Sequence, residues 1–164
     1  MDSYVECLVK AKPKGLWKFL KVLLIMLTVV FVLLSMMGVV LLFIVAIATG
    51  VGAYVVNMKA NVEYEYLYLD KELVIDKVMG KSRRKRVATY SLSRIEILAP
   101  IKSYHLDNFK HRDAKVKDYS IGEELKPDRR YVMYYEGGEK ILLSPSEELV
   151  KAMKTLAPRK IFND

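Results

Sequence analysis

Residues 22–58 read VLLIMLTVVFVLLSMMGVVLLFIVAIATGVGAYVVNM, without a single Asp, Glu, Lys, Arg or His. A helix of a soluble protein carries one apolar stripe, whereas this stretch is apolar around its whole circumference, the mark of a membrane span. Ala46-Ile47-Ala48 matches a small-x-small cleavage pattern. A signal h-region runs to only about 7–15 residues, however, so the run is too long for a cleaved leader. It is also too long for one crossing. At about 1.5 Å per residue it would reach ~55 Å, nearly twice a hydrocarbon core of ~30 Å. Tilt does not absorb that excess. Two helices, 16–36 and 37–58, with Gly38 easing the turn, fit the bilayer.

The flanking charges agree. Lys10, Lys12, Lys14, Lys18 and Lys21 precede the run and Lys59 follows it. Cations favour the cytoplasmic side, and only a hairpin leaves both flanks there. Both termini are therefore expected in the cytoplasm. Ala46, Gly50 and Ala53 give the second helix small side chains of the kind that let helices approach closely in lipid. Packing on the hairpin's own first helix is the favoured use of that face, with homo-oligomerisation as the other. The absence of an ionisable group inside the run argues against an ion or proton path.

Before the hairpin, residues 1–15 read as an amphipathic arm. Ser3 and Glu6 fit a capping box, Glu6 and Lys10 an i,i+4 pair, and Val5, Leu8 and Val9 share a helical face. Pro13 and Gly15 end the segment. A short helix on the inner leaflet is expected; the alternative is a tail whose lysines only set topology. Cys7 is the one cysteine, which excludes an internal disulfide and suits a reducing compartment.

Residues 59–164 have a different pattern. Val62, Tyr64, Tyr66 and Tyr68 alternate with Glu63 and Glu65, as along a strand with one buried face. Asp70-Lys71-Glu72 reads as a turn, Leu73 to Val78 as a strand and Met79-Gly80-Lys81-Ser82 as another turn. Short strands follow at 87–90, 95–98, 116–121, 131–135 and 140–143, with Gly137-Gly138 as the last hairpin turn. Ser144-Pro145-Ser146-Glu147 supplies an N-cap, a Pro at N1 and a capping-box Glu for a final helix. Leu149, Val150, Met153 and Leu156 form that helix's apolar face.

A hairpin followed by Glu65-Tyr66, Asp70-Lys71-Glu72-Leu73, Ile75-Asp76-Lys77, a basic turn, Ser91-Leu92-Ser93-Arg94-Ile95 and a closing Ser-Pro-Ser-Glu helix resembles bacterial membrane proteins with a cytoplasmic PH-like domain. More narrowly, it is similar to a family of Gram-positive bacteria that shares the short N-terminal helix. The resemblance implies an α+β membrane protein: a transmembrane helical hairpin, then a PH-like antiparallel β-barrel or sandwich capped by a C-terminal helix. It implies the cytoplasmic (inner) membrane as location and brings no assigned activity.

Signatures of catalysis are missing. There is no Gly-rich phosphate loop, G-x-S-x-G elbow or H-E-x-x-H pair. His105-x-Asp107 and His111-x-Asp113 fit no metal-ligand spacing and lie among lysines and arginines, as a solvated loop does. No catalytic residue, metal ligand or cofactor is expected. The tyrosines suit a core better than a base-stacking platform, and the modest net charge of the domain does not suit nucleic acid.

The cations Lys81, Arg83, Arg84, Lys85 and Arg86 remain. One strand runs out from the hairpin and the next must return, which brings this turn back toward the bilayer. Two readings stand: a basic turn seated on anionic lipid, or a solvated hairpin end. The function expected is membrane-anchored binding or scaffolding. The alternative is an accessory subunit of a larger membrane complex, contacting it through the small-residue helix face or residues 101–130.

Overall fold

Residues 4–11, 15–121 and 128–164 are described by the computed structural model of the chain. They form two compact units: a helical one, Lys12–Val62 with Met79–Ser82, and a sheet unit, Met1–Ala11 with Glu63–Val78 and Arg83–Asp164. Ser3, Lys12 and Lys14 lie outside the described residues.

The apolar run divides near the expected point. Helix α1 spans Gly15–Met36, the chain turns through Gly38 at φ +108°, and α2 spans Leu41–Ala60. Both are long and apolar enough to cross a membrane, with mean hydropathy of 2.7 and 2.1. They pack on each other, and the small residues of α2 lie in the contact. Ala46 is buried, and a side chain at Gly50 would meet the methyl of Thr28 at 3.6 Å. The Thr28 hydroxyl donates to Thr49 Oγ1 at 3.0 Å, a polar clasp between two otherwise apolar helices. The opposite faces, including Phe19, Val30, Leu33, Ile44 and Val51, are exposed. Lys18 and Lys21 lie in the first turns of α1, and Lys59 in the last turn of α2, with its ammonium 5.8 Å from the Trp17 ring.

Among the described residues there are eight strands: β1 Val5–Lys10, β2 Val62–Leu69, β3 Glu72–Met79, β4 Arg83–Ser91, β5 Ile95–Pro100, β6 Lys115–Asp118, β7 Tyr131–Tyr135 and β8 Glu139–Leu143. One sheet has the order β1-β2-β3-β4 and the other β5-β7-β8-β6. Hydrogen bonding does not close them into a barrel, so the sandwich half of the expectation describes the fold. β6 pairs with β8 in parallel, which departs from the all-antiparallel expectation. β6 and β8 are not consecutive, since β7 lies between them in the chain, and parallel neighbours need such a crossover rather than a hairpin.

The amphipathic N-terminal helix does not form. Residues 5–10 are instead the edge strand β1, antiparallel to β2, with Cys7 opposite Tyr66, Val9 opposite Tyr64 and Lys10 opposite Glu63. The segment VECLVK alternates apolar and polar residues as well as it fits a helical face. Val5, Cys7 and Val9 can bury together against the sheet core only in the period-2 register. Tertiary pairing decides between two patterns that a short segment leaves equal. The hairpin is thus an insertion between two neighbouring strands of one sheet.

Between the sheets lies the main core, containing Tyr66, Tyr68, Leu73, Ile75, Leu98, Met133 and Ile141. Helix α3, Glu147–Leu156, covers it with Leu149, Val150 and Met153. Its cap is Ser146, whose Oγ accepts from Leu149 N at 3.2 Å, and not the expected Ser144. The Ser144 hydroxyl accepts from Ile121 N instead. A smaller apolar layer of Ile97, Ala99, Leu106, Val132 and Tyr134 lies on the other face of the second sheet. The 3-10 segment Tyr104–Phe109 and Phe162 cover it, so part of the polar region 101–130 has a structural use.

Candidate functional site

The basic run begins in the β3–β4 turn. Gly80 and Lys81 both have left-handed backbone, φ +58° and +63°, the conformation of a tight hairpin turn that matches strand twist. Ser82 N closes it on Met79 O at 3.4 Å. Gly80 also meets the end of α2: its N–H donates to Asn61 O at 3.3 Å, and a Cβ there would come within 3.1 Å of Met58 Cγ. Glycine is therefore required twice, by conformation and by space.

From the turn, β4 carries the cations along an exposed edge, and its alternation sorts them. Arg84 reaches Glu65 on β2 at 3.2 Å and Arg86 reaches Asp76 on β3 at 3.5 Å. Both guanidinium side chains stay 66% exposed, so these are loose rim contacts rather than buried pairs. Lys81, Arg83 and Lys85 make no ion pair among the described residues. Five cations in sequence thus resolve into two leaning on the sheet and three facing solvent.

Beneath the arginines lies a group of acids that sequence reasoning missed. Glu65 is only 1% exposed. Burial, then a hydrogen bond with Glu6 of β1, raise its pKa, opposed by Arg84. The same hydrogen bond, helped by the Tyr4 hydroxyl donating to Glu6 Oε2 at 2.9 Å, lowers that of Glu6. The two carboxyls are therefore shifted in opposite directions, Glu65 up and Glu6 down. The outward positions of Glu65 and Asp76 were legible from alternation. The contribution of Glu6 was not, because it requires β1 to be a strand.

Nothing else among the described residues gathers reactive groups. No cluster of three or more His, Cys, Asp or Glu is placed to hold a metal among them. His105 stacks on Phe162 with ring centroids 3.7 Å apart, and Asp107 pairs with Lys110 at 2.5 Å. The strand tyrosines line the core: Tyr66 is fully buried, its hydroxyl donating to Tyr119 O at 2.5 Å and accepting from Ser144 N at 3.2 Å.

The described residues thus hold two four-stranded sheets with one helix over the core between them, and two long apolar helices between the first two strands. Comparison with curated proteins and with solved structures returns no match. Among protein families, the bacterial PH-like domain family DUF6106 matches residues 1–163, from before β1 to beyond α3, and the chain belongs to that family.

Proposed function

We propose that the protein is a membrane-anchored binding or scaffolding module. Its hairpin α1–α2 spans the cytoplasmic membrane with both ends inside, and its PH-like body works at the inner face. PH-like domains are generally non-catalytic modules that bind lipids or proteins, which favours binding over catalysis. The exposed apolar faces of α1 and α2 support insertion, since such a surface is stable in lipid and not in water. The cations Lys18, Lys21 and Lys59 at the strand-joined ends support the orientation. So does the pairing of β1 with β2, because strands that flank the hairpin must meet on one side.

The observation that carries the role of the basic run is the Gly80 contact with Asn61 and Met58. It keeps the start of the run beside the end of α2, where Lys59 and Trp17 stand in the manner of an interfacial anchor. In this reading Lys81, Arg83 and Lys85 face anionic headgroups, each contributing up to about 1 kcal/mol. Arg84 and Arg86 contribute less because Glu65 and Asp76 already draw on them.

The test uses the full chain, since a fragment starting after the hairpin would lack β1. In nanodiscs of phosphatidylcholine, and of phosphatidylcholine with phosphatidylglycerol, amide exchange of residues 79–86 is measured. Anionic lipid should slow it, and high salt or the triple variant Lys81→Gln, Arg83→Gln, Lys85→Gln should restore it. Exchange independent of lipid charge would leave the turn a solvated hairpin end.

A further inference from the structure

The other end of the first sheet carries a second surface. The β2–β3 turn, Asp70-Lys71, also has left-handed backbone, φ +51° and +65°. Along β2 it is about 25 Å from the point where the strand leaves α2, at about 3.3 Å per residue. The chain that follows α3 comes to this turn, and between them opens a groove of about 510 Å³. Leu92 forms its buried floor, and Leu156 and Pro158 stand in its walls.

Leu156 is informative. It lies on the apolar face of α3, yet it is 52% exposed while Leu149, Val150 and Met153 are covered. The rim of the groove is cationic: Lys71, Arg159 and Lys160 line it, and among the described residues no carboxylate does. Lys160 is held in place by donating from Nζ to Ser93 O at 2.7 Å. Lys71 and Arg159 make no ion pair among the described residues.

We propose that this groove docks an extended acidic segment of a cytosolic partner protein, with an apolar side chain against Leu92 and Leu156 and flanking carboxylates on Lys71 and Arg159. An apolar floor with a one-sign rim selects such a segment over a bare anion, which would leave Leu156 uncovered, and over a basic or neutral peptide. The proposal shares the PH-like body with the function above but does not rest on lipid seating.

The full chain in phosphatidylcholine nanodiscs is titrated against a short fluorescein-labelled peptide of alternating glutamate and leucine, read by anisotropy. Controls replace its leucines by serine or its glutamates by lysine. Saturable binding is expected for the acidic apolar peptide and about tenfold weaker binding for either control. Arg159→Glu and Leu156→Ser, both at exposed positions, should each weaken binding by about fivefold to tenfold with the melting temperature unchanged. Lys81→Gln with Arg83→Gln and Lys85→Gln should leave it unaltered. No saturable binding, equal binding of the serine peptide, or loss of binding only in the Gln triple variant would each overturn the proposal.

Discussion

The two faces of the first sheet are built from the same strands and held by opposite means. The inner face is tyrosine and aliphatic, with Tyr66, Tyr68, Leu73 and Ile75 sealed against the second sheet and α3. The outer face is a charged ladder running from Tyr4, just before β1, and Glu6 on β1 through Glu65 and Asp76 to Arg84 and Arg86 on β4. Burial stabilises the first in proportion to area, whatever the neighbouring strand supplies. The second has value only when every member is present, since a carboxyl shut away without its partners is a cost. The inner face therefore sets the fold, and the outer face sets its response to charge.

The strongest way to break this comparison is to remove the strand that serves both faces. Deleting residues 4–11 takes Val9 and parts of Val5 and Cys7 from the core, opens the edge of β2, and leaves Glu65 without Glu6. The expected loss is about 4–6 kcal/mol, comparable with the whole stability of a small domain. Near-ultraviolet circular dichroism of the full chain and of the deletion variant in detergent should show a cooperative melt only in the former. A deletion variant with an unchanged melt would mean that β1 is an ornament of the sheet.

Within the inner face, two adjacent tyrosines offer a finer cut. The Tyr66 hydroxyl joins β2 to Tyr119 O and Ser144 N, bridging the sheet to the approach of α3. The Tyr68 hydroxyl is buried with no hydrogen-bond partner among the described residues. Tyr66→Phe strands a buried N–H and should cost about 1–3 kcal/mol, whereas Tyr68→Phe removes an unsatisfied group and should be neutral or stabilising by up to about 1 kcal/mol. Denaturant midpoints of the two variants check this, and equal effects would show that packing alone governs the tyrosine row.

This contrast also marks what the sequence could tell. The inner face of β2 and β3 was readable because period-2 alternation is local and any core will serve it. The division of the apolar run and the two turns at Asp70-Lys71 and Gly80-Lys81 were readable for the same reason. β1 was not. VECLVK fits two periods, and its partner β2 lies beyond the whole hairpin, so only long-range pairing resolves it. The parallel β6–β8 ladder and the cap at Ser146 escaped likewise, each being settled by a neighbour distant in sequence or by a one-turn shift. At the basic turn, composition identified the cations. It did not show that Arg84 and Arg86 lean on buried acids, nor that three cations gather around Leu156 at the far end.

The smallest effect belongs to the outer face and concerns pH. Glu65 has a raised pKa, so the stability it contributes is complete below its unfolded value and is lost as pH rises through its folded one. Glu6 has a lowered pKa, so its contribution is present above its unfolded value and is lost as pH falls through its folded one. Facing this pair are Tyr4, Asp76 and Arg84, of which only Arg84 offsets the charge that appears on Glu65. The part of the stability that Glu65 carries, read as melting temperature, should therefore decline as pH rises through its raised pKa and the carboxyl ionises. Glu65→Gln keeps a neutral hydrogen-bonding group against Glu6 at every pH and should flatten that decline. The comparison is made between pH 5 and pH 8, both above the ordinary glutamate value of about 4.3. Parallel profiles for the variant and the parent would show that Arg84 already neutralises Glu65, and the outer face would then be a conventional surface ion pair with no response to protons.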